Sequence, residues 1–114
     1  MTTNIPAPGD IVWVDLDPVK GSEQSGVRPA LVVSTADVYA FTSRSIICPI
    51  TSNISDWPTK VTLPEGMKTK GAVLADQPRS VHRSERGFRF IEHAPDEVLR
   101  SVREIIGELL EIHK

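Results

Sequence analysis

The residues most suited to chemistry lie in one polar stretch, residues 20–29. It contains a carboxylate (Glu23), an amide (Gln24) and, near its end, a guanidinium (Arg28). A carboxylate and a permanently charged cation on one segment could contact a phosphate and act as an acid–base pair. Pro29 favours an extended backbone at Arg28 and so fixes where that side chain departs. Ordinary turn chemistry explains the same residues equally well, because an exposed Glu23–Arg28 ion pair would contribute little.

Two apolar runs, residues 11–14 and 30–33, lie on either side of this stretch. Their bulky and β-branched residues predict strands over 11–16 and 30–34, joined by a loop too long for a tight hairpin. Loops of this length are often functional. Within the first strand, Trp13 is more typical of a core anchor than of an exposed stacking surface.

Alternating or apolar segments predict further strands at 45–51, 59–63 and 71–75, with short ones near Val81 and over 87–91. Two local signals modify this pattern. Pro49 predicts that its strand lies at an edge or carries a bulge, because proline cannot donate to a ladder. Ser34, followed by Asp37, resembles a capping box and predicts a short helical turn over 35–41.

The C-terminal segment predicts one helix. Pro95 at the first helical position, followed by Asp96 and Glu97, is typical of a helix N-terminus. Apolar residues then recur at helical spacing and form one stripe, which would pack on the sheet or on a second subunit: Val98, Val102, Ile105, Ile106, Leu109 and Leu110. Many short strands and one terminal helix predict a mainly β fold, a small curled barrel with a C-terminal amphipathic α-helix.

Length and composition indicate one domain, residues 1–114, with 39% hydrophobic and 25% charged residues. We expect no membrane span and no secretory signal, since no long apolar run is present. The single cysteine, Cys48, excludes an internal disulfide and suits a reducing cytoplasm. Net charge is −2, but residues 60–93 carry seven Lys and Arg against four Asp and Glu. That segment forms either a basic surface for phosphates or solvated strand edges.

Several kinds of site are disfavoured. The three histidines, His82, His93 and His113, are dispersed and lack partners at metal-ligand spacing, so we expect no metal and no cofactor. Gly21 and Gly26 do not form a nucleotide fingerprint, and no Ser-His-Asp or Cys-His arrangement is apparent. The polar candidates that remain are Glu23, Arg28, Thr51, Ser52, Asp76 and Gln77.

The chain resembles the MazF/PemK/Kid-type toxins of bacterial toxin–antitoxin systems over nearly its whole length. The motifs that carry the resemblance are WVDLDP (13–18), KGSEQ (20–24), GVRPA (26–30), CPITS (48–52) and GAVLADQ (71–77). The resemblance implies an SH3-like barrel, a homodimer and a cytoplasmic, metal-independent endoribonuclease. Such an enzyme cuts single-stranded mRNA at short sequences, leaves 2′,3′-cyclic phosphate and 5′-hydroxyl ends, and inhibits growth. A cognate antitoxin would block the RNA groove with a flexible tail.

The resemblance also points to Arg28 and Thr51 as catalytic, with Glu23 important in some members. Arg28 suits charge stabilisation because its fork of donors matches phosphate oxygens, Thr51 offers a hydroxyl, and Glu23 could take the 2′-proton. The accompanying substrate-binding set is Ser22, Gln24, Ser52, Asp76 and Gln77. Kid-like members have His where this chain has Ser22 and Arg where it has Leu74, which favours the MazF-like set. The sequence does not identify the residue that acts as the general acid.

Two other functions compete with this one. The first is a gyrase poison of the CcdB type, which shares the fold but depends on a terminal Trp-Gly-Ile; here residues 111–114 are EIHK. The second is a non-catalytic RNA-binding barrel with Trp13, Trp57 and Phe88 as stacking platforms. With 5% aromatic residues, a broad stacking surface is disfavoured.

Overall fold

The computed structural model describes residues 5–16 and 26–112. Within these ranges the chain forms seven strands and three helices. In chain order they are β1 (Asp10–Asp15), β2 (Val27–Val32), α1 (Ala36–Thr42), β3 (Arg44–Thr51), β4 (Lys60–Thr62), β5 (Ala72–Leu74), β6 (Arg79–His82), α2 (Arg83–Arg86), β7 (Arg89–His93) and α3 (Asp96–Leu109).

The strands form one curled antiparallel sheet in the order β4-β5-β3-β2-β1-β7, with β6 also paired to β3. Strand β3 is central: one of its edges pairs with β2, while the other pairs first with β6 and then with β5. This arrangement, closed by a C-terminal helix, confirms the predicted mainly β, barrel-like fold. The strands lie where alternation placed them, with ends shifted by up to three residues.

Side chains on opposite faces of the sheet form two separate apolar clusters, because successive strand residues point to opposite sides. One cluster, here called the helix-side cluster, includes Ile11, Leu31, Cys48, Ile50, Val73, Val98 and Val102. The other, here called the opposite-face cluster, consists of Val12, Val14, Leu16, Ala30, Val32, Ile47 and Val81, with Phe88 packed against it. The sheet is therefore buried on both faces around β1, β2 and β3.

Helix α3 covers the helix-side cluster with the first part of its predicted stripe. Val98 and Val102 are buried, and three partly buried residues pack beside them: Leu99, Ile105 and Ile106. Leu109 and Leu110 are more than half exposed, at 52% and 63%. Pro95 precedes the helix as its N-cap and is not its first residue, a shift of one position from the prediction. None of the helices within the described ranges is long and apolar enough to cross a membrane.

Two local predictions are corrected by tertiary contacts. The Ser34 hydroxyl accepts a hydrogen bond from the Ile46 amide (2.9 Å), so it joins β3 instead of capping α1. The helix has Thr35 as its N-cap, without a side-chain capping bond. The strand that contains Pro49 is not at an edge. Its irregularity is a change of partner, since β6 pairs with β3 up to Ile47 and β5 begins at Ile50.

The long β4–β5 connection is tied to β7 by one carboxylate. Glu92 accepts hydrogen bonds from the backbone amides of Lys68 (3.1 Å) and Thr69 (2.7 Å). Desolvation alone would raise the pKa of Glu92, but the hydrogen bonds from Thr69 and Lys68, together with the Lys68 charge, outweigh it and lower the pKa. The contact holds this connection in place when Glu92 is ionised.

Candidate active site

Arg28 lies inside β2, one residue from the start of the strand. It stands opposite Val14 of β1, and Pro29 stands opposite Trp13, so the backbone at Arg28 is extended as predicted. The side chain is half-buried and makes no hydrogen bond or ion pair with another residue in the described part of the chain. Its guanidinium donors are therefore available to a ligand.

Three predicted site residues lie outside the described ranges: Ser22, Glu23 and Gln24. Both roots of the segment that contains them are described. At its start, the Arg86 guanidinium of α2 donates to the Asp15 carbonyl oxygen (3.4 Å). At its end, the Gly26 carbonyl accepts from the Leu16 amide (3.1 Å), so the two roots are hydrogen-bonded to each other.

Arg28 and Thr51 lie on neighbouring strands, two residues beyond the last pair that β2 and β3 form. Ala30 pairs with Pro49 and Val32 with Ile47. Continued by two residues, the same register brings Arg28 level with Thr51 at the end of β3. Because steps of two keep the same face, both side chains belong to the sheet face that carries the opposite-face cluster.

Thr51 has both a fixed position and an available donor. Its backbone pairs with Ala72 of β5, and its hydroxyl oxygen accepts a hydrogen bond from the Asn53 amide (3.1 Å). A hydroxyl that accepts in this way keeps its own proton free to donate. Ser52 follows and is exposed. The end of β3 therefore presents the Thr51 hydroxyl on the strand that neighbours the strand of Arg28.

Asp76 and Gln77 lie in the turn between β5 and β6, and both are exposed. The turn is closed by a hydrogen bond from the Gln77 amide to the Leu74 carbonyl (3.1 Å). It runs alongside β3 where the partner changes near Pro49. Burial raises the pKa of the Cys48 thiol to about 12, with a smaller contribution from the negative charge of Asp76. The Asp76 carboxylate thus acts electrostatically on the middle of β3.

Sequence reasoning missed one residue that shapes this site. Gly71 has φ +128° and lies so close to Thr51 that a Cβ atom would overlap the Thr51 carbonyl oxygen. Only glycine accepts both this backbone conformation and this approach. A glycine as the first residue of a predicted strand is the signal that could have found it.

Taken together, the described residues offer a cation and a hydroxyl donor on adjacent strands. Such donors can stabilise negative charge that develops on a phosphorus centre. Among residues 5–16 and 26–112, no three His, Cys, Asp or Glu side chains gather where they could hold a metal ion.

The fold belongs to the class of small, mainly β, barrel-like proteins with a C-terminal helix. The profile of the family described as "PemK-like, MazF-like toxin of type II toxin-antitoxin system" matches residues 7–110, so the chain belongs to that family. This confirms the resemblance inferred from the motifs.

Comparisons with individual proteins support the same family assignment. The endoribonuclease toxin MazF of Escherichia coli (strain K12) is 41% identical over 83 residues, which cover 73% of this chain and 74% of the relative. The endoribonuclease PemK of Escherichia coli is 35% identical over 105 residues, covering 89% and 77%. A crystal structure of MazE–MazF (Form-II) from Deinococcus radiodurans matches with a TM-score of 0.88 and 39% identity, covering 97% of this chain and 100% of that one. The enzyme class named for both curated relatives is endoribonuclease.

Proposed function

We propose that this chain is a sequence-specific, metal-independent endoribonuclease toxin that cuts single-stranded mRNA and thereby inhibits translation and growth. The whole chain, residues 1–114, would act as a single toxin domain. The proposal is supported by the presence of Arg28 and Thr51 on two paired, neighbouring strands, in a member of a toxin family whose curated relatives are endoribonucleases. A single strand suits such an enzyme because it exposes base edges that a duplex would hide.

The reaction follows from the roles that these side chains can play. Glu23 removes the 2′-hydroxyl proton, and the 2′-oxygen forms a bond to phosphorus while the bond to the 5′-oxygen breaks. Arg28 stabilises the charge on the phosphorane oxygens, and the Thr51 hydroxyl donates to one of them. A proton then reaches the departing 5′-oxygen from a group that we leave unassigned. The products are a 2′,3′-cyclic phosphate and a 5′-hydroxyl.

Metal independence follows from the nucleophile. The attacking oxygen belongs to the RNA itself, so no metal-bound water is needed to supply it. The charge that a metal would otherwise neutralise is met by the positive charge of the Arg28 guanidinium. Ser22, Gln24, Ser52, Asp76 and Gln77 would hold the nucleotides on either side of the cut.

The proposed partners are RNA, a second copy of the chain and a cognate antitoxin, all within the cytoplasm. An antitoxin is supported by the family description, which names a type II toxin–antitoxin system. An acidic antitoxin segment would compete with RNA because both present negative charge to the same cation. We propose that such a segment covers the surface around Arg28 in the neutralised complex.

Cleavage of a long unstructured transcript in excess EDTA tests the mechanism. We expect the wild type to cut and Arg28→Ala to lose cleavage while keeping its thermal stability, since the guanidinium makes no described contact that holds the fold. Arg100→Ala, which removes an exposed cation on α3, is the matched control and should cut normally. A requirement for added Mg²⁺, or wild-type cleavage by Arg28→Ala, would overturn the proposal.

A further inference from the structure

A cleft lies between β1, β7 and the start of α2. It has a volume of about 790 Å³, and three aromatic residues and two arginines are among those that line it: Trp13, Phe88, Phe90, Arg83 and Arg89. None of these residues belongs to the active site described above. Aromatic faces beside fixed cations are the combination that single-stranded nucleic acids use, bases stacking on the rings and phosphates meeting the charges.

Two residues that line the cleft, Phe90 and Arg89, are exposed. Phe90 is 57% exposed, although it is a large apolar side chain. Arg89 is exposed and makes no hydrogen bond or ion pair with other residues in the described ranges. Arg83 is held in place, since it donates to the Tyr39 hydroxyl (3.3 Å) and its guanidinium carbon lies 5.9 Å from the Tyr39 ring centre. The residues that line this cleft thus include one with an exposed ring, one with an available cation and one with a cation held in place.

One carboxylate, Asp10, also lines the cleft. One of its oxygens accepts from the Ala7 amide (3.0 Å) and the other contacts His93 Nδ1 (3.1 Å). Its charge is therefore directed at groups of the protein itself, while the Arg89 charge is not. The charge that the cleft offers to a ligand is therefore positive, which favours an anionic ligand.

The cleft adjoins the proposed catalytic residues through β1. Phe90 pairs with Val12, which lines the cleft, and Val14, two residues further along β1, pairs with Arg28. With a strand rise of about 3.3 Å per residue and a spacing of about 4.8 Å between strands, the Val12 and Arg28 Cα atoms are about 8 Å apart. An RNA strand whose scissile phosphate lies at Arg28 can therefore reach the cleft with a neighbouring nucleotide.

We propose that this cleft is a subsite for a nucleotide flanking the cut, with the base stacked on Phe90 and a phosphate bound by Arg89. The inference rests on the proposed function, because it takes the RNA at Arg28 as its starting point. A peptide would supply charge for Arg89, but every nucleotide supplies both a flat ring and a phosphate. The observations therefore favour RNA over a protein partner.

The test uses the full chain and two uncleavable 2′-deoxy oligonucleotides, designed after the cut has been mapped from fragment ends. One contains only the nucleotides that border the cut, and the other extends beyond them on both sides. We expect Phe90→Ala to bind the longer probe roughly 5- to 100-fold more weakly than the wild type and the shorter probe equally well. Phe90→Tyr should restore binding, and Phe41→Ala, which removes a ring that is 89% exposed on α1, should change neither affinity.

Salt dependence tests the phosphate contact separately. Arg89→Ala should reduce the slope of log K against log salt by about 0.7 for the longer probe, the value of one phosphate contact on a single strand. Arg100→Ala should leave the slope unchanged. These measurements report binding only, so their result does not depend on the cleavage activity of the variants.

The outcomes separate the two proposals. Equal affinities of Phe90→Ala and wild type for both probes would overturn the subsite while leaving RNA cleavage intact. Phe90-dependent binding of the longer probe, together with cleavage that needs added Mg²⁺ or survives Arg28→Ala, would support the subsite and overturn the proposed function. If Phe90→Ala lost affinity for the antitoxin but not for RNA, the cleft would belong to the protein partner and the inference would be wrong.

Discussion

Gly71→Ala should damage both the stability of the fold and its cleavage activity. Gly71 has φ +128°, and an added Cβ would overlap the Thr51 carbonyl oxygen, with the carbonyl carbon at 3.0 Å and Ile50 Cγ2 at 3.4 Å. The carbonyl is part of the strand backbone, so it cannot turn away as a flexible side chain would. The end of β3 must move, and Thr51 moves with it.

The size of the effect comes from two contributions. A non-glycine residue in this backbone region costs about 1–3 kcal/mol, and overpacking against a fixed neighbour adds about 1–3 kcal/mol. Together they lower the free energy of unfolding by about 2 kcal/mol or more, which corresponds to a fall in Tm of roughly 8 °C or more in a domain of this size. Moving Thr51 by about 1 Å would slow cleavage by up to ~100-fold.

Gly66→Ala is the matched control. Gly66 lies in the same β4–β5 connection and has φ +96°, yet an added Cβ there would meet nothing within 4 Å. Alanine at position 66 would therefore have the same kind of backbone strain but no steric collision. Thermal denaturation followed by circular dichroism gives the stability of each variant, and cleavage is then measured at a temperature where both are folded. If Gly71→Ala had the same Tm as Gly66→Ala and cut RNA at the wild-type rate, the reasoning about Thr51 would be refuted.

Three further predictions follow from single side chains. The pKa of Glu92 is lowered in the folded protein, so the ionised carboxylate stabilises the fold fully above pH 4.5, the ordinary pKa of Glu, and this stabilisation is lost as the pH falls through the lowered pKa. Glu92→Gln should therefore be less stable than the wild type at pH 7 and equally stable in strong acid, as measured by urea denaturation. Cys48 is fully buried with its pKa raised to about 12, so iodoacetamide at pH 8 should label it only in denaturant, and rapid labelling of the native protein would contradict this. Asp76→Asn should slow cleavage less than Arg28→Ala, because Asp76 is exposed in a turn; the reverse order would restore the Kid-like assignment.

Local sequence patterns predicted most of the elements. Alternation located the strands, and the Pro95-Asp96-Glu97 start located α3 to within one residue. The capping box at Ser34 was wrong because a tertiary partner, the Ile46 amide, takes its hydroxyl. Such a competition between a local cap and a distant strand depends on contacts that sequence spacing does not contain. The short helix α2 was missed for a similar reason, since its four residues carry no periodic signal.

The candidate site was predicted by residue type but not by arrangement. The motifs identified Arg28 and Thr51 separately, and only the pairing of β2 with β3 shows that their strands are neighbours. Register is a property of the assembled sheet, and a slip of one residue would turn the Thr51 side chain to the other face. No pattern within either strand distinguishes these two arrangements. The same limit applies to the cleft, which depends on the pairing of Val12 with Phe90.

Pro49 connects the register of the sheet to the position of the site. Proline has no backbone N–H, so β3 cannot maintain an unbroken ladder through it. The break falls between the β6 and β5 pairings, and the turn with Asp76 and Gln77 occupies that gap. Replacing Pro49 by a residue that can donate would remove the reason for the break and allow β6 to continue along β3. The turn would then be displaced from the strand end that carries Thr51, so the same proline that interrupts the ladder also determines where the polar residues meet.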